Sequence, residues 1–109
     1  MTVKFCVTLT SIPSRIKNLN EVIKSIENQS LKPDKIFLNL PILYKRFPND
    51  RISNEDIKKL NNEIVEITRC DDFGPGTKLL GSLNKIIEYD TVIIIDDDSI
   101  YHKDFCKIL

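Results

Sequence analysis

"TVIIIDDDSIYHKDF" (residues 91–105) decides the fold. Thr91 to Ile95 are uncharged and β-branched, the composition of a strand buried on both faces. Three aspartates, Asp96, Asp97 and Asp98, follow without a break. Three adjacent carboxylates repel one another, and partial desolvation at a sheet end worsens this.

Upstream, three more apolar runs alternate with helical patterns. "VKFCVTL" (3–9) reads as a buried strand, followed by an "IPSR" turn. Ile16, Leu19, Val22, Ile23 and Ile26 recur at helical spacing and predict an amphipathic helix over 15–29, with Ser14 as its N-cap. Pro33 bars its continuation. "IFLNL" (36–40) is a second buried strand, and 41–50 reads as a loop. Ser53 with Asp56 three residues on is an imperfect capping box opening a short helix. "EIVEIT" (63–68) is a third strand and "DDFGPG" a loop. Leu79, Leu80, Leu83, Ile86 and Ile87 give a second helical stripe. Residues 91–95 are the fourth strand, and another helix begins from 102 onward.

Continuous apolar strands alternating with helices predict an α/β fold: a parallel Rossmann-like sheet of about four strands with helices on both faces. Right-handed crossovers favour the strand order 3-2-1-4, in which the winding reverses between strands 1 and 4. Ligands of such sheets bind outside the carboxyl ends of the strands at that switch point. Thr8, Thr10 and Ser11 from strand 1 and Asp96, Asp97 and Asp98 from strand 4 would line that crevice.

Composition narrows the function. The 109 residues suit a single domain over 1–109. Lysine plus arginine total 16 and aspartate plus glutamate 16, a balance that argues against a general nucleic-acid binder. Cys6, Cys70 and Cys106 form no C-x-x-C pair, so neither a zinc site nor a disulfide framework is indicated, and reduced thiols are expected. No basic segment with a long apolar run opens the chain, and no apolar stretch approaches the ~20 residues of a membrane span. A cytoplasmic location is the resulting expectation.

A cation would relieve the aspartates. Mg²⁺ and Mn²⁺ favour carboxylate oxygen, and Mg²⁺ sites commonly combine one or two carboxylates with substrate phosphates. Taken alone, a solvated turn capping the helix near His102 accounts for the triplet equally well. "DDFGPGTKLL" adds context. Its glycines, Gly74 among them, let backbone approach a ligand, and the following helix start offers N–H groups to an anion. Lys78 sits in that first turn, where a cation is unfavourable unless a negative ligand compensates it. Arg15 is the other cation near the crevice. For both, a solvated surface side chain is the plain alternative.

These residues resemble a family 2 glycosyltransferase of the GT-A fold. "VTLTSIPSRIKNLNEVIKSIENQSLKPDKIFL" is similar to the start of that family. Its helix end there reads S-I-x-x-Q-[ST]-x-x-P-D-x-I, met here by Ser25, Ile26, Gln29, Ser30, Pro33, Asp34 and Ile36. "VIIIDDDSIY" resembles its D-x-D motif, and "DFGPGTKLLGSLN" its nucleotide-facing loop. The resemblance covers nearly the whole chain. It implies a nucleotide-sugar ligand, with UDP as the nucleotide, and Mn²⁺ or Mg²⁺ as cofactor. It places Thr10 and Ser11 along base and ribose, and Asn39 at the uracil edge in place of the family's frequent aspartate. Asp71 or Asp72 would approach the base, and Lys78 would stand near the nucleotide. Asp96 and Asp98 are the outer pair, Asp98 the first choice of metal ligand, with Asp96 or Asp97 nearer the ribose.

Complete GT-A enzymes are over twice this long, and the remainder carries the acceptor site and, in inverting members, the base. The expectation is transfer of sugar to an acceptor or slowly to water, with an inert nucleotide-sugar-binding module as the alternative. A P-loop NTPase fragment lacks its G-x-x-x-x-G-K-[ST]. A phosphoaspartate enzyme of the haloacid dehalogenase type lacks its aspartate closing strand 1. An open edge on the fourth strand also suggests self-association.

Overall fold

The computed structural model describes residues 4–60 and 62–108. Strands β1 (Phe5–Thr10), β2 (Lys35–Pro41), β3 (Val65–Cys70) and β4 (Thr91–Ile94) form one all-parallel sheet in the order β3-β2-β1-β4. This is the predicted α/β topology. Of the expected first strand, Val3 lies outside the described residues, and the strand runs on to Thr10. Central β1 and β2 are buried almost throughout, as their unbroken apolar runs require, whereas outer β3 and β4 are half exposed.

Helices cover both faces. On one, Phe5, Val7, Leu9, Ile36, Leu38 and Leu40 pack against α1 (Leu19–Glu27) and α2 (Asn54–Leu60). Leu19, Val22, Ile23 and Ile26 bury the α1 stripe. At ~1.5–3 kcal/mol per buried side chain this packing, rather than propensity, holds a nine-residue helix. On the other face Cys6 and Phe37 meet Ile86, with Leu79, Tyr89 and Val92 packed around them.

Two helical expectations are corrected. The first helix does not run over 15–29. A 3-10 turn, Pro13–Asn18, comes first, and the α-helix begins at Leu19. Pro13 starts that turn at a position where its missing N–H costs nothing. Ser14 therefore lies inside the turn and caps nothing, the N-cap being Ile12. Ser53 does cap α2, accepting the Asp56 N–H at 3.1 Å. The second stripe is not one helix but two single turns, α3 (Thr77–Leu80) and α4 (Leu83–Ile86), broken at Gly81–Ser82. Leu80, Leu83 and Ile87 face solvent, while Ile86 is buried.

A last short helix, α5 (Phe105–Ile108), follows the aspartate loop and starts three residues later than His102. Among the described residues β4 pairs only with β1, so its outer edge is open, and no helix is long and apolar enough to cross a membrane.

Candidate functional site

The carboxyl ends of β1 and β4 are fastened together before they present anything to a ligand. Asp97 accepts a hydrogen bond from Ser11 Oγ at 2.7 Å and an ion pair from Arg15 at 2.9 Å. Its side chain is only 9% exposed. Ser11 is itself held through its carbonyl, which accepts the Tyr44 hydroxyl at 2.8 Å. Burial pushes the Tyr44 phenol well above its ordinary pKa, so it stays a neutral donor.

The far side of the aspartate loop is anchored to the end of α1. The Asp96 N–H donates to the Tyr101 hydroxyl at 3.0 Å, and the Tyr101 N–H donates to Ser25 Oγ at 3.1 Å. Buried Gln29 donates to the His102 carbonyl at 2.6 Å and accepts the Cys106 N–H at 2.9 Å. Ser30 Oγ donates to Asp104 at 2.7 Å. Asp34 meanwhile accepts the Phe5 N–H at 2.8 Å, pinning the start of β1. The Ser-Ile-x-x-Gln-Ser-x-x-Pro-Asp pattern is thus a set of staples that fixes where the aspartates stand.

Between these braces lies an open cleft of about 380 Å³, within the range of small-molecule sites. It sits at the switch point between β1 and β4. Of the residues picked out in the sequence, Thr10, Ser11, Arg15, Asp72, Gly74, Lys78, Asp96, Asp97 and Asp98 line it together. Thr10 Oγ1 donates to the Asn39 carbonyl at 2.6 Å. Asp72 accepts the Lys45 and Gly74 N–H groups at 2.9 and 2.8 Å, and the Lys45 bond in particular holds its carboxyl below the ordinary range. Gly74 adopts φ +63°, a conformation that suits glycine. Lys78 pairs with Asp96 across the cleft. Asp98 is exposed and makes no hydrogen bond or ion pair among the described residues.

Thr8, Asn39 and Asp71 do not line the cleft. Thr8 and Asn39 are fully buried behind the wall, and Asp71 is exposed beside it. Thr8 Oγ1 donates to the Lys78 carbonyl, and Asn39 Nδ2 reaches Thr8 Oγ1, the Thr77 carbonyl and the Lys78 carbonyl at 3.0–3.1 Å. The helix-start argument for Lys78 also changes. A four-residue helix has almost no macrodipole, so Lys78 is compensated by Asp96 rather than by an anion on helix N–H groups.

Tyr44, Arg46 and Phe47 line the cleft as well and escaped the sequence reading. The signal was present: "PILYKRF" follows the carboxyl end of β2, where ligands of parallel sheets bind, and combines aromatic with basic residues.

The described residues hold no cluster of three His, Cys, Asp or Glu side chains in metal-binding array. Asp97 is spent on Ser11 and Arg15. A hard cation would therefore be held by Asp98 and Asp96, the remaining coordination coming from water and phosphate oxygen, a donor set that Mg²⁺ or Mn²⁺ accepts. The Lys78–Asp96 pair is solvent-exposed and worth at most ~1 kcal/mol, so its exchange for a ligand is cheap. No family model matches the chain, and no curated protein matches it.

Proposed function

We propose that this chain binds a nucleotide-diphosphate sugar, with UDP as the nucleotide, through Mn²⁺ or Mg²⁺ at Asp98 and Asp96. As a glycosyltransferase-like protein it would pass the sugar to an acceptor or slowly to water. The observation that carries this reading is one cleft at the switch point joining the acidic strand end to three cations. Arg15, Arg46 and Lys78 face Asp72, Asp96, Asp97 and Asp98, leaving one negative charge in excess. A divalent ion reverses that sign, so the cleft attracts a diphosphate only once a cation is bound. When bound, the metal offsets charge on the departing diphosphate. Arg15 and Lys78 then neutralise its outer oxygens, and Phe47 offers an apolar wall to the nucleoside.

Calorimetric titration of the protein with UDP, UDP-sugars and other nucleoside diphosphates, with and without Mn²⁺, tests this. Binding is expected only with the metal. Equal affinity in EDTA and Mn²⁺ would reject the site.

Lys78→Ala is expected to weaken UDP·Mn²⁺ binding severalfold while barely moving the melting temperature, because the pair it forms is exposed. A variant that melts early yet binds normally per folded molecule would make Lys78 a structural residue.

The open β4 edge also favours self-association. Thr91–Ile94 carries no charge or proline to block a neighbouring strand, and Ile94 is exposed. Sedimentation is expected to show a concentration-dependent larger species that Ile94→Lys removes. A monomer at all concentrations would reject the association.

A further inference from the structure

Asn39 was expected at the uracil edge, yet it is 0% exposed. A buried side-chain amide is costly unless its hydrogen bonds are made. Here the donor end alone is used. Nδ2 serves Thr8 Oγ1 and the carbonyls of Thr77 and Lys78, while Oδ1 has no partner. Thr8 Oγ1 adds a second bond to the Lys78 carbonyl. The two carbonyls belong to the single turn that carries Lys78 into the cleft. A lone turn of helix is unstable by itself, because nucleation fixes several dihedrals for one bond. Its geometry must come from what grips it.

Gly81 shows how tightly it is gripped. A Cβ there would stand 2.7 Å from Asn39 Cβ, 2.9 Å from Asn39 Cγ and 3.0 Å from Cys70 Sγ. Its backbone is ordinary helix, φ −62°, so the glycine is needed for closeness and not for conformation. Alanine would improve local helix propensity by roughly 1 kcal/mol and yet would push the turn off β2.

We infer that Asn39 on β2 and Gly81 at the end of the α3 turn form a seat that sets the position of Lys78. They are positioning residues, which act on a bound diphosphate only through that lysine. This rests on the nucleotide-diphosphate reading of the cleft. On this view Asn39→Asp keeps the shape but turns an acceptor toward three acceptors, and Gly81→Ala keeps every polar group but displaces the turn.

The test measures UDP·Mn²⁺ affinity per folded molecule for Asn39→Asp, Gly81→Ala, Lys78→Ala and the two doubles with Lys78→Ala. Each seat variant is expected to bind about tenfold more weakly than the parent. Adding Lys78→Ala to a seat variant should then cost little more, because the lysine is already misplaced. Fully additive losses, or unchanged affinity with only a lower melting temperature, would make the seat merely structural and overturn the inference. A change of preference among nucleoside diphosphates in Asn39→Asp would instead return Asn39 to base reading. Should the parent bind no UDP, the reading of the cleft fails, while the seat is still tested by hydrogen exchange at Gly81 and Ser82, whose N–H groups bond the Thr77 and Leu79 carbonyls of the turn. Those amides are expected to exchange at least tenfold faster in Gly81→Ala, and unchanged rates would overturn the seat as well.

Discussion

Asp98→Ala is expected to weaken UDP binding in Mn²⁺ by at least tenfold, about 1.4 kcal/mol, and to abolish any metal dependence that remains. The expectation follows from how the three aspartates divide their work. Asp97 is committed to Ser11 and Arg15 and is nearly buried. Asp96 is shared with Lys78. Asp98 alone is exposed and without a hydrogen bond among the described residues, so its removal takes a ligand without breaking a brace. Two comparisons guard the conclusion. Asp98→Ala should melt close to the parent protein, since no described residue makes a hydrogen bond or ion pair to that carboxylate. Asp97→Ala should melt lower, because it strands Ser11 and Arg15 and loosens β4 from β1. An Asp98→Ala variant that binds UDP·Mn²⁺ as well as the parent, while Asp97→Ala loses it, would move the metal to Asp97.

Thr91 to Ile95 carried most of what the sequence could say about the fold. An apolar strand between helical patterns admits few topologies, and the order β3-β2-β1-β4 is the one observed. The switch point then located the cleft. Less legible was anything set by a long-range polar contact. Gly81 reads as a helix residue until Asn39 and Cys70 are seen pressed against it. The leucine and isoleucine stripe from Leu79 to Ile87 has the right period for one helix, but the Lys78 carbonyl is taken by Thr8 and Asn39, and the Ser82 N–H turns to the Leu79 carbonyl instead. Asn39 itself stands at a strand end, where a polar side chain suggests ligand contact. Only its burial shows that it faces backbone. Tyr44 was missed for the opposite reason: in a proline-containing loop without periodicity, nothing local marks one tyrosine as the support beneath Ser11. The Gln29 and Asp34 pattern was legible as a likeness, and the structure gives it a physical meaning in the bonds that hold the aspartate loop to α1 and the start of β1 to the turn before β2.

Slow, metal-dependent cleavage of a UDP-sugar is the second large expected effect. In hydrolysis the bond between the anomeric carbon and the diphosphate oxygen breaks, UDP keeps the electron pair, and water adds to the carbon and loses a proton. Leaving-group charge would be offset by Arg15, Lys78 and the cation that Asp98 and Asp96 would hold. The water's proton is not. Among the described residues lining the cleft, Asp97 is tied to Arg15 and Ser11, and Asp96 to Lys78. Asp72 is kept ionised by two backbone N–H groups, chiefly that of Lys45, which makes it a weak base. Asp98 would hold the metal on the proposed reading, and His102 is not on the wall. Missing general-base assistance typically costs ~10²–10⁴-fold. Against an ordinary turnover of about 10 s⁻¹, the purified chain is therefore expected to release UDP at roughly 10⁻³ to 10⁻¹ s⁻¹, with water as acceptor. A UDP-release assay run over hours in Mn²⁺, in EDTA and with Asp98→Ala measures this, the variant also controlling for contaminating enzymes. Turnover near 10 s⁻¹ would mean that one of the paired carboxylates comes free to act as base. Asp97 is the first to examine, since Asp96 and Asp98 would hold the cation and Asp97's partner Arg15 is half exposed. No release at all, with UDP-sugar binding demonstrated by calorimetry, would make the chain a nucleotide-sugar-binding module in which the cations hold the diphosphate and nothing activates an acceptor.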